Sequence, residues 1–229
     1  MDTIVWILIL LTAFNFLLKQ TFWQWTAVGV AAVIAAAFVL LTWPYAIEQS
    51  KTQIADWLHR PELMLNTAVV LTVEVALQMA FCLLAVHVAN VHPVKKRMML
   101  AYRVLYWFAG VLIFPVLFFG LTQLIFALPG ISFRTVAWGF AAFVLLAVPL
   151  GRWFLRWLLP ETELRLELLF LTNALVAILG IVATVNGRTA VEGVASVNWA
   201  AFGGCVSIFI VGGLIGMLVR EVRNRRLRG

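Results

Sequence analysis

Among the ten acidic residues of this 229-residue chain, Glu74 alone falls deep inside a long apolar run. A charged side chain at a bilayer centre costs at least ~2.5–3.5 kcal/mol on insertion scales, so an acid kept there is a functional candidate. Thr67, Glu74 and Gln78 are spaced i, i+7 and i+11, which places them on one face of a helix. Asn173 and Ser207 occur in two later apolar runs, each, like Glu74, about ten residues from the expected outer end. Equal depth predicts that Glu74, Asn173 and Ser207 meet in one intramembrane polar cluster, with Thr67 and Gln78 beside them. No Lys or Arg lies at that depth, so Glu74 is expected to be protonated and to donate a hydrogen bond. A carboxyl of this kind can relay protons or sense a proton-motive force. It can equally be a satisfied structural bond or a contact to a partner helix.

Other chemistry finds no constellation. Cys82 and Cys205 sit in apolar runs without a CxxC, which makes neither a disulfide framework nor a zinc site. His87 and His92 are five apart rather than four, and His59 lies in another segment, so no metal or haem ligand set is expected. Glu161-x-x-x-Arg165 does not extend to a hydrolytic site, because no histidine follows His92. There is no Walker loop, GxSxG or HExxH. No catalytic residue, metal or cofactor is predicted.

The elements that must position Glu74 follow from composition. Hydrophobic residues make up 64% of the chain and charged residues only 12%, too few to cover a water-facing globule. That excludes a soluble enzyme, a nucleic-acid-binding module and a disordered tail, and leaves an all-α, polytopic transmembrane bundle in a single domain, 1–229. Apolar runs long enough to span occur at 3–18, 24–44, 64–91, 100–127, 135–158, 164–185 and 198–219. Seven spans are expected, or six if the first run lies in the interface. Between the second and third, 45–63 carries Ile47, Ile54, Trp57 and Leu58 at helical spacing and reads as an outer amphipathic interfacial segment ending near Pro61.

Charge placement orients the bundle. With the N-terminus outside and the C-terminus cytoplasmic, the inner segments hold Lys19; Lys95, Lys96, Arg97 and Arg103; Arg152, Arg156 and Arg165; and Arg220, Arg223, Arg225, Arg226 and Arg228. Only Lys51, Arg60, Arg134 and Arg188 fall outside, the asymmetry that the positive-inside rule requires. Arg152 and Arg156, in the last turns of the fifth run, are expected to snorkel to headgroups. Trp6, Trp23, Trp25, Trp43, Trp138, Trp153, Trp157 and Trp199 lie near expected helix ends, as interfacial anchors do.

Small residues predict close helix contacts at Gly204, Gly212 and Gly216 of the seventh run, Ala177 and Gly180 of the sixth, and Ala27, Ala31 and Ala35 of the second. Pro115 predicts a kink within the fourth. Together these features point to a non-enzymatic integral-membrane subunit of a larger membrane complex, one that could be coupled to an ion gradient. Its partners would be the bilayer and other membrane subunits, with no nucleic acid. The alternative is a stand-alone proton-coupled transporter or channel for a small solute, using Glu74. A bacterial inner membrane is the expected location.

Overall fold

The structure is a computed structural model that describes residues 2–48, 61–90 and 95–185, with side chains over 6–48, 69–90 and 95–182. Every regular element among these residues is a helix: α1 (Asp2–Gln20), α2 (Trp25–Glu48), α3 (Pro61–Asn90), α4 (Lys96–Trp107), α5 (Ile113–Ala127), α6 (Phe133–Leu158) and α7 (Thr162–Val185). Segments Trp25–Glu48, Val69–Asn90, Phe133–Leu158 and Thr162–Val182 are long and apolar enough to cross a membrane, while α1 and α5 are apolar but shorter. The expected seventh run, 198–219, with Gly204, Ser207, Gly212 and Gly216, lies outside the described residues. So do residues 49–60 of the outer segment; its first residues complete α2 and Pro61 opens α3.

Apolar side chains cover both the inside and the outside of the bundle. In α2, Val28, Ala32, Ala35, Ala36 and Val39 are buried while Val30, Val33, Ile34 and Leu41 are exposed. A helix that is apolar all round belongs in hydrocarbon. Ala27 and Ala31 are half-buried on the packed side. Thr12, Thr42 and Thr122 return their hydroxyls to carbonyls one turn back, so they leave no polar group unmet in the apolar surroundings.

The helices form two groups joined by α1. One comprises α2, α5 and α6; the other comprises α3, α4 and α7; α1 packs against α5, α6 and α7. A Cβ on Gly180 would lie 2.8 Å from Leu71 Cδ2, so this glycine is what lets α7 approach α3. Gly151 does the same for α6 against Leu17 of α1, at 3.0 Å.

The fourth expected span is not one helix. Over 100–127 the chain runs through the end of α4, an irregular segment at 108–112, and α5. Pro115 explains the position of the break, though not as a simple kink. It occupies the first turn of α5, where a missing N–H is harmless, and the carbonyl it cannot serve, that of Val111, accepts instead from Phe114 N–H at 3.1 Å. Gly110, at φ +104°, turns the chain between the two helices in a conformation that a side chain would strain.

Two further expectations are corrected. Arg152 does not snorkel outward: it is 2% exposed and its Nη2 donates to the Trp23 carbonyl at 2.8 Å, whereas Arg156 is exposed. Trp23 is not an interfacial anchor but a buried donor, its Nε1 bonded to the Tyr106 carbonyl at 2.7 Å. Trp6, Trp25, Trp138, Trp153 and Trp157 are exposed.

Candidate functional site: a helix break held by buried charges

Any helix break inside an apolar bundle leaves main-chain groups without partners at both ends. The last carbonyls of α4 and the first N–H groups of α5 each cost roughly 1–3 kcal/mol if buried unmet. Here the two ends are met by side chains of opposite charge from two other helices.

Glu74 serves the amide end. Val111 N–H and Leu112 N–H both donate to its Oε2, at 2.6 and 2.7 Å. The carboxylate thus lies at the N-terminus of α5, where the helix dipole favours negative charge. Lys19 serves the carbonyl end: its Nζ donates to the Leu105 carbonyl at 3.1 Å, at the C-terminus of α4, where positive charge is favoured. The same ammonium lies over the Phe81 ring, 2.8 Å from its centroid, which replaces part of its lost hydration. Trp23 covers the neighbouring Tyr106 carbonyl, and the Tyr106 hydroxyl donates to Phe22 O at 2.6 Å.

A directed chain of amides supports Glu74. Asn173 Nδ2 donates to Leu169 O at 2.7 Å and to Gln78 Oε1 at 3.2 Å; Gln78 Nε2 then donates to Glu74 Oε1 at 3.1 Å. Every donor points toward the carboxylate, so both of its oxygens act as acceptors. The bonds the structure records at Glu74 are all accepted ones, where the sequence reading expected the carboxyl to donate. What the expectation lacked was the broken helix, whose free N–H groups stand where a counter-ion was sought.

Of the residues picked out by sequence, Glu74, Gln78 and Asn173 come together, at 5%, 2% and 1% exposure. Thr67 belongs to α3, but its side chain lies outside the described set, as does Ser207. Ala177, half-buried, and Gly180, buried, belong to α7, Gly180 meeting Leu71. A neighbouring polar contact joins α1 to α7, where Thr172 Oγ1 donates to Asn15 Oδ1. No group of His, Cys, Asp or Glu among the described residues could hold a metal ion.

Sequence reasoning passed over Gly110, Lys19, Asn15 and Thr172. Gly110 had a signal, a glycine five residues before Pro115 in an otherwise apolar run. Lys19 had none, because a lysine ending an apolar run reads equally well as an orientation charge. Gly110 is required twice over: besides its φ, a Cβ there would lie 2.6 Å from Glu74 Oε1 and 3.1 Å from Gln78 Nε2. No family model, curated protein or solved structure matches the chain.

Proposed function

We propose that this chain is a non-enzymatic integral-membrane subunit of a larger, ion-gradient-coupled assembly, in which Glu74 latches a hinge between two helix groups. The observation that carries this reading is the bonding of Glu74 Oε2 to Val111 and Leu112 N–H. Through it, an acid on α3 holds the start of α5, which packs with the other group. Protonation of that carboxylate would turn an acceptor into a donor and loosen the joint, so proton occupancy would be expressed as the angle between α4 and α5.

Placement in a bacterial inner membrane with a cytoplasmic C-terminus follows from the basic residues. From Phe133 to Arg152, α6 rises about 28 Å, close to the ~30 Å of hydrocarbon. The fifteen residues of α5 rise only about 22 Å, so its amide end stops inside the bilayer, enclosed by protein as irregular backbone there must be. α4 carries Lys96, Arg97 and Arg103 and lies at the cytoplasmic surface.

Glu74→Gln tests the latch. A glutamine carbonyl can still accept from Val111 and Leu112, but its NH2 faces the Gln78 amide donor, and the group no longer titrates. In liposomes, hydrogen exchange at 111–116 of the unaltered protein is expected to speed up, beyond the intrinsic pH dependence, as pH falls. In Glu74→Gln that extra dependence is expected to vanish. Retention of it in Glu74→Gln would remove the latch from the mechanism. Purification in mild detergent as a lone monomer would remove the subunit reading.

The second reading, a stand-alone proton-coupled transporter or channel, is favoured by one feature: transporters place coupling sites at discontinuous helices whose half-helix ends face ions. Proton flux through liposomes containing this chain alone, lost in Glu74→Gln, would establish it over the first.

A further inference from the structure

Away from the Glu74 network, two arginines are buried and, among the described residues, paired with no acid. Arg152 and Arg165 are 2% and 4% exposed. Arg152 donates to Trp23 O at 2.8 Å; Arg165 donates to Thr21 O at 3.5 Å, Glu161 O at 3.3 Å and the Thr162 hydroxyl at 3.0 Å. These partners are neutral, and among the described residues neither guanidinium forms an ion pair. Among the described residues Arg152 Nε is buried without a hydrogen-bond partner, and so are both amide atoms of Gln20, in the same turn as Thr21. The exposed Arg156 adds its like charge to both arginines, which also repel each other.

Three acids stand close in sequence, at Glu161, Glu163 and Glu167, all exposed, and among the described residues none pairs its carboxylate with either arginine. Two guanidiniums turned toward one helix junction, with neutralising carboxylates at hand but unpaired, make a site whose counter-charge comes from elsewhere. Aromatic rings lie at this end of the bundle: Arg152 stacks on the exposed Trp25, 4.1 Å from the ring centroid, and the exposed Trp153 and Trp157 follow Arg152 along α6. Indoles exposed on an apolar bundle mark headgroup depth.

We infer that Arg152, Arg156 and Arg165, at the junction of the α1–α2 turn with the end of α6 and the start of α7, bind a phosphate oxyanion. Guanidinium forks match phosphate oxygens in geometry and charge, and basic clefts between membrane helices take anionic headgroups. Two sources carry that chemistry, the phosphodiester of an anionic lipid and free phosphate, and the exposed tryptophans favour the lipid. Only the lipid source rests on the membrane placement proposed above; binding of free phosphate does not.

The test uses the full chain, stripped of lipid in a neutral detergent, with thermal unfolding as readout. Short-chain phosphatidylglycerol, short-chain phosphatidylcholine and inorganic phosphate are titrated separately. Phosphatidylglycerol is expected to raise the midpoint and phosphatidylcholine to leave it unchanged. Arg156→Gln, an exposed change that spares folding, is expected to raise the half-saturating concentration about fivefold. Arg165→Gln is expected to raise it by at least as much. Arg134→Gln, at the far end of α6, is expected to leave it unchanged. A rise with inorganic phosphate alone, weakened by the same variants, supports the site and assigns it to a free anion. An equal response to both lipids, no response to either anion, or an unaltered response in Arg156→Gln overturns the proposal.

Discussion

Glu74 and Lys19 illustrate how buried ionisable side chains can be met without touching each other. Each is opposed by the end of a helix rather than by an ion, and each charged hydrogen bond is worth roughly 1.5–3 kcal/mol against an unmet main-chain group. The most sensitive position around them carries no charge. Gly110→Ala forces a side chain onto φ +104° and sets its Cβ 2.6 Å from Glu74 Oε1. The left-handed conformation alone costs about 1–2 kcal/mol, and displacing Glu74 adds to it. The variant is expected to unfold at lower temperature in detergent. Adding Glu74→Ala should then cost less than it does in the unaltered protein, because the contact is already lost. Additive effects would separate Gly110 from the carboxylate.

At the scale of elements, the break between α4 and α5 is the feature on which the site depends. Its position was half legible. Gly110 and Pro115 punctuate the fourth apolar run, and proline was expected to disturb it. A proline in mid-helix, however, implies a kink centred on itself, whereas one in a first turn is compatible with a fresh helix start. Nothing local distinguishes the two; the choice depends on whether another helix supplies partners for the exposed N–H groups. Pro115→Ala discriminates between them. In a first turn it should change stability by no more than about 0.5 kcal/mol, while inside a continuous helix it should stabilise by about 3 kcal/mol. Denaturant or thermal unfolding of the purified variant reads the difference.

For the whole molecule, the claim with the widest reach is that the apolar exterior faces lipid. Val33, 57% exposed midway along α2, is surrounded by Val30, Ile34 and Ala37 rather than by charge. Val33→Lys is therefore expected to lower membrane integration by the equivalent of about 2.5–3.5 kcal/mol, read as the membrane-inserted fraction of newly made chain. An unchanged inserted fraction would mean that this face meets water or protein. The same exterior accounts for the division into two helix groups. With no hydrophobic effect to drive helices together in lipid, the close approach of Gly151 to Leu17 and the buried contact of Asn15 with Thr172 hold the groups on α1, while Gly180 brings α7 onto α3 within one of them.

By itself the sequence determined the class of molecule, most helix positions and the isolation of Glu74 in apolar surroundings, because composition and run length are local properties that bilayer thickness converts directly into structure. Helical spacing put Gln78 on the face of Glu74 and depth counting put Asn173 at its level, and the structure joins the three. Tertiary structure alone decided that the Val111 and Leu112 N–H groups meet Glu74, that Lys19 serves the opposite end of the same break, and that Arg152 turns inward. Each of those outcomes depends on main-chain groups freed in one segment and met by a side chain far away in sequence, as Lys19 meets Leu105 and Arg152 meets Trp23. Side-chain identity records which groups a residue can offer. Which of them are left wanting is fixed only when the helices are packed.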